Sequence, residues 1–171
     1  LAVLLDDLDN DEEAKDLYRE ALIIVAQAFG EQSDHVSGIL GNLGLILSSE
    51  GAVDEADSLF RRALEIDLNL LGANHPVVAF DKINLGRHLC ETGRASEGVG
   101  LARDALQILR SAHDPGQWET GVAHSAYGQC LGGIGRFSEG ERELAVAREL
   151  IESALGADHT RAEQVRSQLA Q

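Results

Sequence analysis

Residues 43–84 read LGLILSSEGAVDEADSLFRRALEIDLNLLGANHPVVAFDKIN, and the pattern of this stretch recurs when the sequence is shifted by 42 residues. A fixed period of this size marks a solenoid built from stacked supersecondary units. The small residues that recur at this spacing are Gly44, Gly86 and Gly128, then Gly51, Gly93 and Gly135, then Ala63, Ala105 and Ala147.

Apolar residues within each unit recur in steps of three and four, which is the period of an α-helix. Residues Ala56, Phe60 and Ala63 show this stripe, and the glycines between stripes mark turns. The pattern predicts helices over residues 11–28, 34–49, 53–70, 76–91, 96–112, 118–133, 138–155 and 159–170. Residues 1–8 are expected to be the end of a further helix, with turns at Asp9-Asn10 and 114–116.

The recurring small residues are expected where the two helices of a pair cross, because a β-carbon there would push the helices apart. Gly44, Gly86 and Gly128 occupy this place on first helices. The bulky Phe60 and Leu144 are expected to fill the space between successive pairs.

This spacing resembles the tetratricopeptide repeat, a helix–turn–helix unit of about 34 residues. The longer period, with LGANHPVVA at 71–79 and its echo ALGADHTRA at 154–162, resembles the repeats of kinesin light chains and of many bacterial tetratricopeptide proteins. The residues that carry the resemblance are Leu40, Leu43, Gly44, Leu47, Ala56, Phe60 and Ala63.

The resemblance implies an all-α, right-handed α-solenoid of antiparallel helix pairs, whose first helices line a concave groove that binds peptides or helices. It covers the whole chain, so we expect a single domain over residues 1–171. Its repeats are expected over 1–33 (with a partial first helix), 34–75, 76–117 and 118–157, followed by a closing helix over 158–171.

The formal net charge of −15 argues against nucleic acid and anionic membranes as partners. Nothing in the first residues resembles a secretory signal, and no apolar run reaches the roughly 20 residues of a membrane span. Cys90 and Cys130, the two cysteines, lie at non-equivalent places on different repeats. We therefore expect two free, buried thiols, no disulfide and a cytoplasmic location.

The candidate sites for metals and for catalysis each lack a residue or a spacing that the chemistry requires. Asp7, Asp9 and Asp11 suggest a calcium loop, but Glu12 and Tyr18 stand where the loop needs Gly and Glu. Four residues suggest zinc without showing close ligand spacing: His88, Cys90, His124 and Cys130. No nucleophile with a base and no phosphate-binding glycine motif is present. The sequence predicts a protein that is not an enzyme and holds no cofactor or metal.

The groove is the remaining candidate site. Asn42 and Asn84 are equivalent across repeats, and the resemblance implies that an Asn there hydrogen-bonds a ligand's backbone. With Arg87 they partly resemble a carboxylate clamp, although Ala126 breaks the match in the next repeat; the alternative is an ordinary solvated face. The residues predicted to line the groove and bind a peptide are Asn42, Leu45, Ser49, Phe80, Asn84, Arg87 and Gln129.

The predicted function is therefore a non-enzymatic scaffold for protein–protein interaction whose partner is a protein or peptide. The alternative is a regulatory or spacer segment of a larger, bacterial signalling protein, without an independent ligand.

Overall fold

The computed structural model describes residues 11–112 and 117–170, and these residues form eight α-helices. The predicted helices agree with them to within one residue at either end, which confirms the all-α solenoid pattern of helix pairs. The bounds are α1 Asp11–Phe29, α2 Asp34–Ser49, α3 Val53–Leu71, α4 Pro76–Glu91, α5 Ala95–Ala112, α6 Trp118–Gly133, α7 Phe137–Leu155 and α8 Thr160–Leu169.

The turns use residues whose conformation or side chain suits a helix end. Gly51 and Gly72 have φ values of 80° and 81°, in the left-handed region where a β-carbon is strained. His75 and His159 precede α4 and α8, and Nδ1 of each accepts a hydrogen bond from the N–H two residues later, at 3.2 Å. Each histidine therefore caps a helix by satisfying one of its unpaired N–H groups.

Contacts between helices divide the chain into two compact units, Leu1–Ala73 and Asn74–Gln171. In unit 1, Ser37 Oγ of α2 donates a buried 2.8 Å hydrogen bond to Asp67 of α3. Leu22 and Val25 of α1 pack against the same core. The buried apolar residues of this core are Val36, Leu40, Ala63 and Ile66. A single domain over residues 1–171 stays a prediction.

Unit 2 contains α4 to α8 around one apolar core that includes Ile83, Leu109 and Ile151. The helices of a pair cross at glycines, as predicted. A β-carbon built on Gly98 would lie 2.5 Å from the carbonyl oxygen of Gly86, and one built on Gly140 would lie 2.7 Å from that of Gly128. The backbones therefore approach closely because neither helix carries a side chain there.

The large residues contact the glycines of their own pairs, while their place between successive pairs stays a prediction. A β-carbon built on Gly44 would lie 2.8 Å from the ring of Phe60, and one on Gly128 would lie 2.9 Å from Leu144. Each large side chain therefore fills the hollow above the glycine of its own pair. The physical reason is that a glycine opposite a bulky residue leaves room for that residue inside the crossing.

The prediction of two free thiols is wrong, because Cys90 and Cys130 form a disulfide between α4 and α6. Their Cα atoms lie 5.2 Å apart although the residues are not equivalent in the repeat. Adjacent first helices meet with an offset along their axes, so residues 40 apart in sequence face each other. The inference from free thiols to a reducing compartment loses its basis.

Several predicted features lie outside the described residues: the end of a helix at 1–8, the turns at Asp9-Asn10 and 114–116, and the calcium interpretation of Asp7 and Asp9. Across residues 11–112 and 117–170, no helix combines the length and the apolar character that crossing a membrane requires.

Candidate functional site

The groove residues predicted in unit 1 lie along α2. Asn42 is half-buried, Leu45 is 42% exposed and Ser49 is exposed. The Ser49 hydroxyl donates a 2.7 Å hydrogen bond to the carbonyl of Ile46 in its own helix, so its proton is engaged while its oxygen can still accept a hydrogen bond. This stretch of α2 presents an apolar side chain and an amide to the outside.

In unit 2, the first helices α4, α6 and α8 lie side by side. The Phe80 and Trp118 rings connect α4 to α6, with centroids 6.5 Å apart. Ser125 Oγ of α6 donates a 2.7 Å hydrogen bond to Gln168 of α8. We call the surface that these helices share the α4–α6–α8 face, and define it by Phe80, Arg87, Trp118, Gln129 and Arg161.

The predicted residues of unit 2 form a chain of polar contacts on this face. Gln129 Nε2 donates a 3.0 Å hydrogen bond to Glu91, and the guanidinium of Arg87 lies 3.9 Å from the same carboxylate. Asn84 lies on the same stripe of α4 and is half-buried. No side-chain hydrogen bond engages Asn84 within the described ranges, so its amide can accept and donate to a ligand.

Trp118, Glu119 and Arg161 are site residues that the sequence analysis missed. The Arg161 guanidinium lies over the Trp118 ring, 4.8 Å from its centroid, which is a cation–π contact. The sequence does contain one signal that α6 and α8 carry complementary residues. Glu119 and Arg161 are 42 residues apart, so two opposite charges occupy the same repeat position on adjacent first helices.

The positive charges of Arg87 and Arg161 act on each other. Burial lowers the pKa of Arg161, the positive charge of Arg87 lowers it further, and Glu119 opposes both effects. A guanidinium stays protonated throughout the physiological range, so the positive charges of Arg87 and Arg161 repel each other there. The Arg87–Arg161 pair is therefore a place where an added anion would relieve repulsion.

Three atoms at this site lack hydrogen-bond partners among the described residues. Arg87 Nε is a buried donor, and Glu119 Oε2 and Gln129 Oε1 are buried acceptors. A buried polar atom without a partner costs free energy that a ligand can recover by bonding to it. A peptide offers both kinds of group, because its carboxylates and carbonyls accept and its N–H groups donate.

A cavity of about 560 Å³ opens beside Gln129. A β-carbon built on Gly132 would meet nothing within 4 Å, so the missing side chain there helps to leave the space open. Residues of α6, α7 and α8 line the cavity, among them Gly128, Gln129, Gly132, Phe137, Gln168 and Leu169. Its size is in the range of pockets that hold a ligand's apolar group.

The residues once considered for zinc do not form a metal site. Cys90 and Cys130 are bonded to each other, so neither offers a thiolate. His124 Nδ1 lies 2.5 Å from Glu143 Oε2, and its Nε2 lies 3.1 Å from Arg110 Nη2. Within the part of the chain that the structure describes, no three His, Cys, Asp or Glu residues are grouped to hold a metal ion.

Comparison with known structures shows the fold. BtubC (BKLC) from P. vanneervenii matches 99% of this chain at 24% identity, with a TM-score of 0.75, and this chain spans 62% of the length of that one. Two crystal structures of a putative kinesin light chain from Podosopora anserina, with nearly identical TPR-like repeats, match 99% of this chain at 21% identity. Their TM-scores are 0.73 and 0.72, and 80% and 81% of their chains are covered.

No curated protein matches the chain. A family model of the tetratricopeptide repeat matches residues 1–69 and 35–111, which together cover more than half of the sequence. Proteins with such repeats are commonly modules for protein–protein interaction and generally lack enzymatic activity. The family match, the 42-residue register and the helix pairs lead to one conclusion: this chain belongs to the tetratricopeptide repeat family and is similar to kinesin light chain-type repeat proteins.

Proposed function

We propose that the protein is a non-enzymatic scaffold that binds a peptide or helix of a partner protein along its first helices. The observation that carries this proposal is the Arg87–Arg161 pair on the α4–α6–α8 face. In a chain with a formal net charge of −15, two neighbouring arginines beside an exposed polar surface favour an anionic group of a ligand.

The ligand that fits this face is a mildly apolar peptide with a carboxylate, from a side chain or from its C-terminus, at the two arginines. Guanidinium groups bind carboxylates through paired, charge-assisted hydrogen bonds. The amides of Asn84 and Gln129 would bond to the peptide backbone. Phe80 and the cavity beside Gly132 would take apolar side chains. In unit 1, Asn42, Leu45 and Ser49 offer an amide, an apolar contact and a hydroxyl for the same class of ligand.

The decisive experiment uses fluorescence anisotropy to measure the binding of peptides that end in a free or an amidated carboxyl group. The variant Arg87→Gln/Arg161→Gln should weaken the best free-acid peptide about ten-fold or more, because charge-assisted bonds are lost. The matched control is Arg103→Gln/Arg148→Gln, which removes the same charge from exposed positions on α5 and α7. Equal loss in both variants would mean that only the overall charge attracts the peptide.

A second experiment tests the cavity. Gly132→Leu should fill it and weaken a peptide that places an apolar side chain there, while the protein stays folded. Gly100→Leu is the control, because Gly100 is also a helical glycine of unit 2 whose β-carbon would meet nothing within 4 Å. Unchanged binding by the Gly132 variant would remove the cavity from the proposed site.

Failure of every acidic and apolar peptide to bind would favour the alternative, a regulatory or spacer segment of a larger bacterial signalling protein. We propose the cytoplasm as the location of the protein. We also exclude nucleic acid and anionic membranes as partners, since an acidic chain repels both. A fluorescent fusion that concentrates at a membrane or on chromatin would contradict this.

A further inference from the structure

Cys90 and Cys130 are the two cysteines of the sequence, and they join the neighbouring first helices α4 and α6. Cys130 is completely buried, whereas Cys90 is partly exposed. The other repeats carry different residues at these positions: Ser48 and Gly132 correspond to Cys90, and Ile46 and His88 correspond to Cys130. The covalent link is therefore particular to this pair of helices.

The disulfide adjoins the polar contacts of the α4–α6–α8 face. Glu91 follows Cys90 and Gln129 precedes Cys130, and these two neighbours make the 3.0 Å hydrogen bond between the helices. Arg87 contacts the same Glu91 carboxylate one turn away. Any change in the spacing of the two cysteines therefore reaches Glu91, Gln129 and Arg87.

We propose that the Cys90–Cys130 disulfide is a redox switch that sets the spacing of α4 and α6 and thereby the affinity of the α4–α6–α8 face for its ligand. The effect on binding rests on the function proposed above, while the effect on the helices does not. Disulfides of cytoplasmic proteins are commonly redox-sensing rather than permanent, which agrees with the proposed location.

The chemistry is thiol–disulfide exchange with a low-molecular-weight thiol such as glutathione. A thiolate attacks the sulfur of Cys90, the less buried of the two residues, forms a mixed disulfide and releases the thiolate of Cys130, which takes up a proton. A second thiolate attacks the mixed disulfide, releases Cys90 and leaves as oxidised glutathione. Two electrons pass to the protein, and the oxidised small thiol reverses both steps.

Packing around the sulfurs makes the reduced state different but still folded. Two unbonded thiols must lie further apart than two bonded sulfurs, and the room around them is limited. Gly98 lies directly against Cys90 with no β-carbon, and the Gly86 carbonyl lies 3.5 Å from the Cys130 sulfur. We therefore expect the helices to shift on reduction. Ile83 of α4 and Ala126 of α6 belong to one apolar core, which keeps them together.

The experiment equilibrates the protein in mixtures of reduced and oxidised glutathione and counts free thiols by alkylation and mass spectrometry. Thermal unfolding and hydrogen exchange are measured on the same samples. The Cys90–Cys130 pair should change from reduced to oxidised as the proportion of oxidised glutathione in the mixture rises. Closure should raise the thermal midpoint by about 10 °C, because it removes freedom from a 40-residue loop of the unfolded chain. Hydrogen exchange in α4 and α6 should slow.

Two controls separate the switch from general effects. The variant Cys90→Ala should show no response of its thermal midpoint to glutathione. The helices α2 and α3 belong to unit 1 and have no cysteine, so their exchange should stay unchanged. A bond that stays open, or stays closed, in every mixture would overturn the switch. Equal changes in α2–α3 and α4–α6 would also overturn it.

Binding distinguishes this inference from the proposed function. The free-acid peptide should bind the oxidised protein several-fold more tightly than the reduced protein. Equal binding by both forms would overturn control of the site. Binding by neither form, with the thiol and exchange results as expected, would count against the proposed function and support the switch in the helices alone.

Discussion

The α2–α3 crossing of unit 1 and the α4–α5 crossing of unit 2 occupy the same place in the repeat but are packed differently. In unit 1, Phe60 fills the hollow at Gly44, and a β-carbon on Gly44 would lie 2.8 Å from its ring. In unit 2, the residue equivalent to Phe60 is Ala102, and the crossing is closed by backbone contact between Gly86 and Gly98.

The comparison teaches that a crossing can be filled by a large side chain or closed by direct backbone contact. In unit 1, Phe60 fills the crossing, and Ala56 stands where unit 2 carries Gly98 and Gly140. In the α4–α5 crossing, the Gly86 carbonyl blocks the β-carbon position of Gly98, and the α6–α7 crossing combines such a backbone contact with a large residue. The two units should therefore be sensitive to opposite substitutions.

The largest expected effect is loss of the ring in unit 1. Phe60 is 2% exposed, so Phe60→Ala leaves a cavity and should destabilise unit 1 by about 3–5 kcal/mol. Chemical denaturation measures the loss. Phe29→Ala is the control, because Phe29 is 62% exposed and its removal should cost much less. If both variants lost the same stability, the ring would not be the filler of the crossing.

The opposite substitution should damage unit 2. Gly98→Ala places a β-carbon 2.5 Å from the Gly86 carbonyl oxygen and against the sulfur of Cys90, and overpacking of this kind costs about 1–3 kcal/mol. Gly100→Ala, two residues later on α5, meets nothing within 4 Å and should stabilise the helix by up to about 1 kcal/mol. Thermal unfolding compares the two. A neutral Gly98→Ala would show that the backbones can separate at no cost.

The helices were predictable because each follows from a local signal: the three–four apolar period, the turn glycines and the 42-residue register. Gly86 was identified for the same reason, since small residues recur at its position in the repeat. The disulfide was missed because equivalence in the repeat was used to judge contact, while Cys90 and Cys130 meet through the offset between adjacent helices.

The candidate site was predicted in part. Arg87 and Gln129 occupy one repeat position, 42 residues apart, and the structure connects both to Glu91. Arg161 and Trp118 were missed because the repeat containing Trp118 has lost the sequence signature at its start. Their contact depends on how a long side chain reaches across to the next helix, which the register does not specify.

The next largest expected effect is a dependence of stability on pH that differs between the two units. In unit 2, His124 is 3% exposed, and the Arg110 guanidinium can only donate, so Nε2 of His124 accepts and its Nδ1–H donates to Glu143. Burial lowers the pKa of His124, against the effect of Glu143. Unit 1 has His35 as its one histidine, and this residue is exposed.

A histidine whose pKa is lower in the folded state than the usual value of about 6.5 stabilises the fold above that value. This stability is lost as the pH falls through the folded pKa, at no more than about 1.4 kcal/mol per pH unit. Denaturation at pH 7.5 and 5.5 should show the loss in the native protein and a smaller loss in His124→Gln. Hydrogen exchange at the lower pH should show this loss of stability as reduced protection of α5–α7. An equal loss of protection in α2–α3 would mean that groups other than His124 cause it.

The smallest expected effect compares equivalent amides in the two units. Asn42 of α2 and Asn84 of α4 are half-buried, and neither side chain makes a hydrogen bond within residues 11–112 and 117–170, so their removal should leave stability unchanged. A ligand that bonds to one amide should bind about 2–13-fold more weakly when that amide is replaced by alanine, which corresponds to roughly 0.5–1.5 kcal/mol.

Asn69→Ala, at an exposed position on α3, is the control. Loss of affinity in Asn84→Ala alone would confine the ligand to unit 2, and loss in both, with a ten-fold or greater loss in the double variant, would mean that it contacts both units. Full binding by the double variant would contradict the proposed role of these two amides in binding a ligand.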